Sequence, residues 1–227
     1  MTVKASANFV DTLGQTDSKF TAITFDFWNT LMFVAEPRKL YEKRMARVEK
    51  VLTDAGHRRD WETMLDAGCQ VWDITMSRQY LQGLDYIPEE QVRDIIQRLD
   101  LDDQADYFPA VYAAYTEPFL EEPPQLMEGA RETLEELAPH FKLGIICNTG
   151  ATPGQVLRQL LKQFQLDHYF AVKTFSNELK IAKPNPEIFR YTLQQLGATP
   201  QAAVHVGDDP KTDVAGAGAV GMKTIWF

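Results

Sequence analysis

The sequence predicts an α/β fold, a parallel sheet flanked by helices, with an all-helical segment inserted after the first strand. The run from Phe20 to Phe25 is apolar and rich in β-branched and aromatic residues, which is typical of a strand buried on both faces. From about residue 35 to 122 the pattern is helical, without a convincing strand. After Pro124, short strands alternate with helices, which favours right-handed crossovers between parallel strands.

Four helices are predicted in the inserted segment. Pro37 suits the first turn of a helix, and apolar residues recur at helical spacing from there until Gly56. A second helix is predicted over about 61–83. The third begins at Pro88, where the glutamates that follow lie at the positive end of the helix dipole. The fourth covers about 104–119.

The later part of the chain supplies the rest of the sheet. Its predicted elements are helix 129–139, strand 141–147, helix 153–164, strand 169–175, helix 186–196, strand 202–206, helix 212–220 and strand 223–227. The first strand must belong to the same sheet. We therefore predict a lead-in at residues 1–18, a discontinuous core domain at 19–34 and 123–227, and a helical domain at 35–122.

Composition restricts the function classes. The 227 residues suffice for a core domain with a smaller inserted one, and 44% hydrophobic with 24% charged residues is ordinary for a globular protein. A net charge of −9 argues against binding nucleic acid. Cys69 and Cys147 lack metal-ligand spacing, and the chain opens without a secretory segment, so we expect a cytoplasmic protein. No apolar run reaches the ~18 residues of a membrane span.

Acidic residues directly follow two of the predicted strands. Asp26 follows the first strand, and Asp208 follows the strand at 202–206. The carboxyl ends of parallel strands share one edge of the sheet, where open α/β sheets bind ligands. Two carboxylates there suit a hard cation such as Mg²⁺, and Asp26 is a candidate nucleophile. The alternative is that both residues only cap turns or helices.

Three stretches carry a family resemblance. They are Phe25-Asp26-Phe27-Trp28-Asn29-Thr30-Leu31, Lys183-Pro184-Asn185-Pro186 and Gly207-Asp208-Asp209-Pro210-Lys211-Thr212-Asp213. In this order they resemble the haloacid dehalogenase (HAD) superfamily of hydrolases, in the subclass with a helical cap. The resemblance implies a Rossmann-like HAD core, a cap that closes over the active site, and a small-molecule substrate for a monomer or homodimer.

The resemblance also implies roles for individual residues. Asp26 would be the nucleophile, and Lys183 would hold the substrate phosphate and the nucleophile together by charge. The Mg²⁺ ligands would be Asp26, the backbone carbonyl of Trp28, and Asp208, while Asp213 would support the metal site and the lysine. Lys180, three residues before Lys183, does not match the motif.

The second motif of the family departs from its usual form. The stretch 141–150 ends a strand with Cys147, where the family has a serine or threonine that binds phosphate. Thr149, two residues later, is the alternative donor, since a buried thiol behaves mainly as a small hydrophobe. With Thr30, Asn148, Trp28 and Lys183, these residues form the predicted phosphate-binding set.

The larger departure is Trp28. Superfamily phosphatases carry a second aspartate at this position, which protonates the leaving group and then activates water. An indole can do neither, and such catalysis is worth ~10² to 10⁴ in rate, so ordinary alkyl phosphates should turn over slowly. The 2-haloacid dehalogenases have an aromatic residue here, but they lack the acidic fourth motif that Asp208 and Asp213 retain.

Three functions therefore remain in competition. The first is a Mg²⁺-dependent phosphatase acting on a small phosphorylated metabolite with a good leaving group. The second is a metal-independent dehalogenase that uses Asp26, and the third is a catalytically impaired protein that binds a phosphorylated metabolite or a partner. The cap residues that recognise the substrate cannot be identified, because its arginines also fit a solvated helical face; they are Arg38, Arg44, Arg58 and Arg59.

Overall fold

The computed structural model describes residues 20–227; the predicted lead-in at 1–18 lies outside them. Its strands are β1 (Ala22–Phe25), β2 (Met32–Phe33), β3 (Gln125–Leu126), β4 (Lys142–Cys147), β5 (Phe170–Phe175), β6 (Ala203–Gly207) and β7 (Lys223–Trp226). Five of them form a sheet in the order β5-β4-β1-β6-β7, with every neighbouring pair parallel. The predicted α/β fold with a parallel sheet is confirmed, and β1 lies at its centre.

Helices cover both faces of this sheet and fill the inserted segment. They are α1 (Pro37–Asp54), α2 (Trp61–Ser77), α3 (Pro88–Arg98), α4 (Phe108–Thr116), α5 (Pro118–Glu121), α6 (Ala130–Leu137), α7 (Gly154–Gln163), α8 (Ser176–Leu179), α9 (Pro186–Leu196) and α10 (Gly216–Ala219). Short π-helical turns occupy Arg78–Gln82 and Pro210–Ala215. Within residues 20–227, every helix is too short or too polar to cross a lipid bilayer.

The sheet buries a separate apolar cluster on each face. On one face, Ile23 and Ile145 of the strands pack with Leu134 of α6 and Leu157 of α7. On the other face, residues of α9 and α10 pack against the alternate strand positions, including Ile146. Burial on both faces explains why β1 and β4 are apolar at nearly every position, as parallel strands usually are.

The segment between residues 35 and 122 is helical and contains no strand of either sheet. Its helices enclose an apolar cluster of their own, which includes Met45 of α1, Val71 of α2 and Ile95 of α3. This cluster shares no residue with the two clusters of the sheet. Ala151, from the loop after β4, is its one buried member from outside the segment 35–122. The division into a core domain at 19–34 and 123–227 and a cap domain at 35–122 agrees with this arrangement and stays a prediction.

The predicted helices in this segment differ from those observed in two places. The predicted helix at 61–83 is α-helical only to Ser77 and ends in a π-helical turn, after which Gly83 adopts a left-handed conformation with φ of 63°. The predicted helix at 104–119 begins later, at Phe108, and is broken at Pro118. Proline has no N–H to continue the hydrogen-bond ladder, so a new short helix starts there.

Other differences lie at the edges of the core. The strands β2 and β3 form an antiparallel pair that was not predicted, in which Met32 lies opposite Leu126. Two-residue strands are too short to give a periodic signal. The predicted helix at 212–220 is instead a π-helical turn followed by α10.

Candidate active site

Three carboxylates meet at the carboxyl edge of the sheet. Asp26 follows β1, Asp208 follows β6, and Asp213 projects from the π-helical turn after β6. One oxygen from each lies within 4.8 Å of the other two. Asp26 and Asp213 are buried, whereas Asp208 is partly exposed. An all-oxygen set of this kind fits a hard divalent cation, because such ions prefer carboxylate ligands.

Lys183 lies at the centre of this acidic group. Its ammonium donates to Oδ1 of Asp26 at 2.5 Å and to Oδ1 of Asp213 at 2.6 Å, and only 2% of the residue is exposed. Asn148 fixes the backbone of Lys183: its Oδ1 accepts from the lysine N–H at 2.7 Å, and its Nδ2 donates to the lysine carbonyl at 2.9 Å. The neighbouring Lys180 is exposed. The lysine therefore reaches the carboxylates as a buried, positioned cation.

Burial and charge act in opposite directions on these groups. Burial raises the pKa of Asp26, and the charge of Lys183 works against this rise. For Asp213, burial favours the protonated form, but Lys183 and His205 outweigh it and hold the pKa below its usual range. Burial would lower the pKa of Lys183, yet its two carboxylate partners raise it. Lys183 is thus the group that favours the ionised form of Asp26.

A second residue that supports Asp213 was not predicted from the sequence. His205, inside β6, lies with Nε2 3.1 Å from Oδ1 of Asp213 and with Nδ1 2.8 Å from the hydroxyl of Thr24. Burial lowers the pKa of His205, so the neutral ring donates to Asp213 and accepts from Thr24. Polar residues within two adjacent apolar strands were the available signal.

The turn after β6 is shaped around Asp213. A Cβ added at Gly207 would come within 2.3 Å of Cγ of Asp213, so only glycine fits there. The backbone N–H of Asp209 donates to Oδ2 of Asp213 at 3.1 Å. The Asp209 carboxylate accepts from the backbone of the following turn and from the hydroxyl of Tyr80 in the inserted segment.

A cavity of about 590 Å³ lies over the carboxylates. Its floor includes Asp26, Lys183, Asp208 and Asp213, and its walls come largely from α1 and α2. Trp28 also lines it, packed edge-on against Phe27 at 4.9 Å and tilted against Phe119 at 5.1 Å between ring centroids.

The other predicted phosphate-binding residues occupy different positions. Asn148 and Thr149 line the cavity, whereas Cys147 and Thr30 are not among its lining residues. Cys147 is completely buried, and burial raises the pKa of its thiol well above the usual value. The hydroxyl of Thr30 is buried without a hydrogen-bond partner among the described residues. Phosphate binding by these residues stays a prediction.

Thr149 belongs to a network that the sequence did not reveal. Its hydroxyl lies 3.2 Å from that of Ser176 and 3.4 Å from Oδ2 of Asp85, a buried residue of the inserted segment. Asp85 also accepts from Ser176 at 3.1 Å and from Nε2 of Gln79 at 2.7 Å. The network joins the second motif to the helical segment across the edge of the cavity.

Similar proteins of known activity include two phosphatases. The chain is 34% identical over 139 residues to glyceraldehyde 3-phosphate phosphatase of Pyrococcus furiosus, covering 59% of this chain and 54% of that one. It is 37% identical over 114 residues to ribulose-1,5-bisphosphate 5-phosphatase of Halopiger xanaduensis, covering 50% and 46% respectively. The chain thus matches about half the length of these curated relatives.

Solved structures share the fold over a longer stretch. A 2-haloacid dehalogenase from Pseudomonas syringae superposes with a TM-score of 0.63 at 25% identity, covering 92% of this chain and 86% of that one. A HAD phosphatase from Thermococcus onnurineus gives 0.62 at 24% identity, with the same coverages. The sequence pattern of haloacid dehalogenase-like hydrolases matches residues 20–221. The chain therefore belongs to the haloacid dehalogenase-like hydrolase family.

Proposed function

We propose that the protein is a Mg²⁺-dependent phosphohydrolase that forms an aspartyl phosphate on Asp26. The observation that carries this proposal is the contact between the Asp26 carboxylate and the buried ammonium of Lys183 at 2.5 Å, beside two further carboxylates. A carboxylate nucleophile can approach an anionic phosphate only where positive charge offsets the repulsion. The phosphatases among its relatives support the same reaction class.

The donor set fits Mg²⁺. Asp26, Asp208 and the carbonyl of Trp28 would hold the ion, and Asp213 would lie behind them, because it already accepts from Lys183, His205 and the backbone. When bound, Mg²⁺ would neutralise charge on the transferring phosphoryl group. Without the ion, three carboxylates face one ammonium, so the residues alone leave an excess of negative charge where the phosphate must bind.

The protein residues then perform two displacements. An oxygen of Asp26 attacks phosphorus, the bond from phosphorus to the ester oxygen breaks, and the leaving group departs with the electron pair. Water next attacks the phosphorus of the acyl phosphate, which releases inorganic phosphate and restores Asp26. Lys183 holds the nucleophile in place during both steps. His205 positions Asp213, and Asn148 positions Lys183.

Trp28 determines which esters react well. The indole cannot protonate a departing alkoxide or activate the attacking water. Substrates whose leaving groups are stable without a proton, such as acyl phosphates and aryl phosphate esters, should therefore phosphorylate Asp26 efficiently. Hydrolysis of the intermediate should be the slower step, because that step lacks its base for every substrate.

We further propose that residues 35–122 act as a cap on this reaction. The Tyr80–Asp209 hydrogen bond joins the segment to the turn beside the acidic group. On the other side of the cavity, the guanidinium of Arg44 donates to the carbonyl of Ala151 at 3.2 Å and to the hydroxyl of Thr152 at 3.1 Å. Contacts on both sides would keep water out of the cavity when substrate is bound.

The dehalogenase alternative rests on Trp28 and on the similarity to the Pseudomonas syringae dehalogenase. Displacement of halide at carbon needs no proton and no metal. It also needs no cluster of three carboxylates, which would repel an anionic haloacid. We therefore favour phosphoryl transfer.

A substrate screen separates these functions. Purified protein is assayed with acetyl phosphate, p-nitrophenyl phosphate, glycerol phosphate and 2-chloropropionate, each with Mg²⁺ and with EDTA. We expect Mg²⁺-dependent release of phosphate from the first two, slow release from glycerol phosphate and none of chloride. Loss of all release in Asp26→Asn assigns the activity to this site. Chloride release in EDTA would instead support the dehalogenase, and the absence of any turnover would contradict the proposal.

A further inference from the structure

Aromatic side chains of the inserted segment line the cavity together with the carboxylates. Trp72 of α2 and Tyr41 of α1 have ring centroids 6.3 Å apart, and both line the cavity. The Trp72 ring also reaches the loop after β4, since a Cβ added at Gly150 would lie 3.3 Å from it. Trp28 and Phe119 form a second aromatic pair along the same cavity. Two pairs of rings therefore border the space above the nucleophile.

Three polar side chains of the inserted segment that line this cavity already have hydrogen-bond partners. The guanidinium of Arg44 donates to Tyr115, Ala151 and Thr152. The amide of Gln79 donates to Asp85, and the hydroxyl of Tyr80 donates to Asp209.

Three more hydroxyl-bearing or charged side chains of this segment line the cavity: Tyr41, Arg38 and Asp73. The hydroxyl of Tyr41 is buried and lies against Gly68, so that the ring and not the oxygen faces the cavity. Arg38 extends into solvent and pairs with Glu42 at 3.1 Å. A polyhydroxy substrate would lose its hydrogen bonds to water here and find few replacements, which is costly for each group.

Charge also limits the substrate. Asp73 lies beside Trp72 on α2 and contributes an exposed carboxylate to the lining. A second phosphate or a carboxylate on the substrate would be repelled by this negative charge. Among the described lining residues, the buried cations already have partners and could not offset the repulsion.

We infer that the substrate is an aryl phosphate monoester, whose ring lies between the Trp72–Tyr41 and Trp28–Phe119 pairs while its phosphate meets Asp26 and Lys183. This inference rests on the proposed phosphohydrolase function and names its substrate class. Two features agree on it. The aromatic walls bind a ring, and the absence of an acid at Trp28 requires a leaving group as stable as a phenolate. The cavity volume suits a ligand of this size.

Binding of unreactive analogues tests the inference separately from catalysis. Phenylphosphonate and methylphosphonate carry the same anionic group and have no ester oxygen to expel, so neither is hydrolysed. Calorimetry with Mg²⁺ present should show phenylphosphonate binding at least about tenfold more tightly, from burial of the ring. Equal affinities, or no binding of either compound, would overturn the assignment.

Three variants test whether Trp72 causes the preference for phenylphosphonate. Trp72→Ala should reduce the phenyl-to-methyl affinity ratio to about threefold or less, and Trp72→Phe should retain most of it because a ring remains. Trp61→Ala is the matched control, because Trp61 is equally exposed on the same helix, at 38% against 37% for Trp72, but does not line the cavity. A ratio unchanged in Trp72→Ala, or lost equally in Trp61→Ala, would refute the aromatic site.

The outcomes for binding and for catalysis remain distinguishable. If the ring preference holds but no phosphate ester is hydrolysed, the proposed function fails and the aromatic site stands. If acetyl phosphate is hydrolysed through Asp26 but the ring preference is absent, the substrate class is wrong and the phosphohydrolase stands.

Discussion

Replacing Trp28 with aspartate should create the acid that the site lacks. The new carboxyl group would lie two residues after Asp26, where superfamily phosphatases carry theirs. A well-placed acid is worth ~10² to 10⁴ in rate. The pocket here is shaped by Phe27 and Phe119 around an indole, so the new carboxyl group will not be ideally placed. A misplacement of a catalytic group by about 1 Å can reduce its effect on the rate about 10²-fold. We therefore expect turnover of glycerol phosphate to rise about tenfold, whereas the rate at which acetyl phosphate phosphorylates Asp26 should change little, because that step needs no acid.

The same substitution should cost stability. The indole makes close contacts with two rings, and each aromatic pair contributes about 0.5–1.5 kcal/mol beyond its buried area. Their loss lowers the free energy of unfolding by about 1–3 kcal/mol, measurable by urea denaturation.

Trp28→Asn is the matched control for this experiment. It opens the same space and loses the same contacts but carries no acidic proton. An equal gain in Trp28→Asn would refute the reasoning, because the effect would then come from space and not from proton transfer. Wild-type turnover of glycerol phosphate at ~10 s⁻¹, near the median for enzymes, would also refute it.

Three further predictions concern the charged groups. Asp208→Asn should weaken Mg²⁺ binding about tenfold or more by calorimetry, and equal affinity in both proteins would exclude Asp208 as a ligand. Lys183→Met should abolish turnover and lower the free energy of unfolding by about 3–5 kcal/mol, because two buried carboxylates lose their cation. Lys180→Met is the control at an exposed lysine and should change neither quantity. A similar loss in Lys180→Met would contradict the role assigned to Lys183. Burial raises the pKa of Asp85 above its usual 3.8, so the folded state binds the proton more tightly and stability falls as pH rises above about 4. In denaturant titrations, the free energy of unfolding of Asp85→Asn should therefore increase relative to that of wild type as the pH is raised from 4 to 7. A difference between the two proteins that does not change with pH would show that folding does not raise the pKa of Asp85.

The parallel sheet and its acidic edge could be predicted because both depend on local patterns. An apolar run followed by a carboxylate marks where a buried strand ends, and parallel strands end at a common edge. Asp26 and Asp208 therefore converge without any knowledge of the intervening chain. Asp213 and Lys183 could be added only by family resemblance, since nothing in their immediate sequence fixes their direction.

The features that were missed depend on contacts between distant segments. Thr24 and His205 are separated by 181 positions, yet adjacent strands bring them to 2.8 Å. Asp85 and Ser176 meet only because the inserted segment packs against the end of β5. Hydrophobic periodicity identifies the buried face of a helix, but it does not specify which polar residue of one segment contacts another.

The direct test of the central claim is detection of phosphate on Asp26 during turnover. Wild type is mixed with p-nitrophenyl phosphate and Mg²⁺, quenched in acid within milliseconds, and the peptide containing residues 20–31 is analysed by mass spectrometry. Because Trp28 supplies no base for the second step, the acyl phosphate should accumulate to a large fraction of the protein, with a matching burst of nitrophenolate. Steady release of nitrophenolate with no burst and no phosphate on Asp26 would contradict the account.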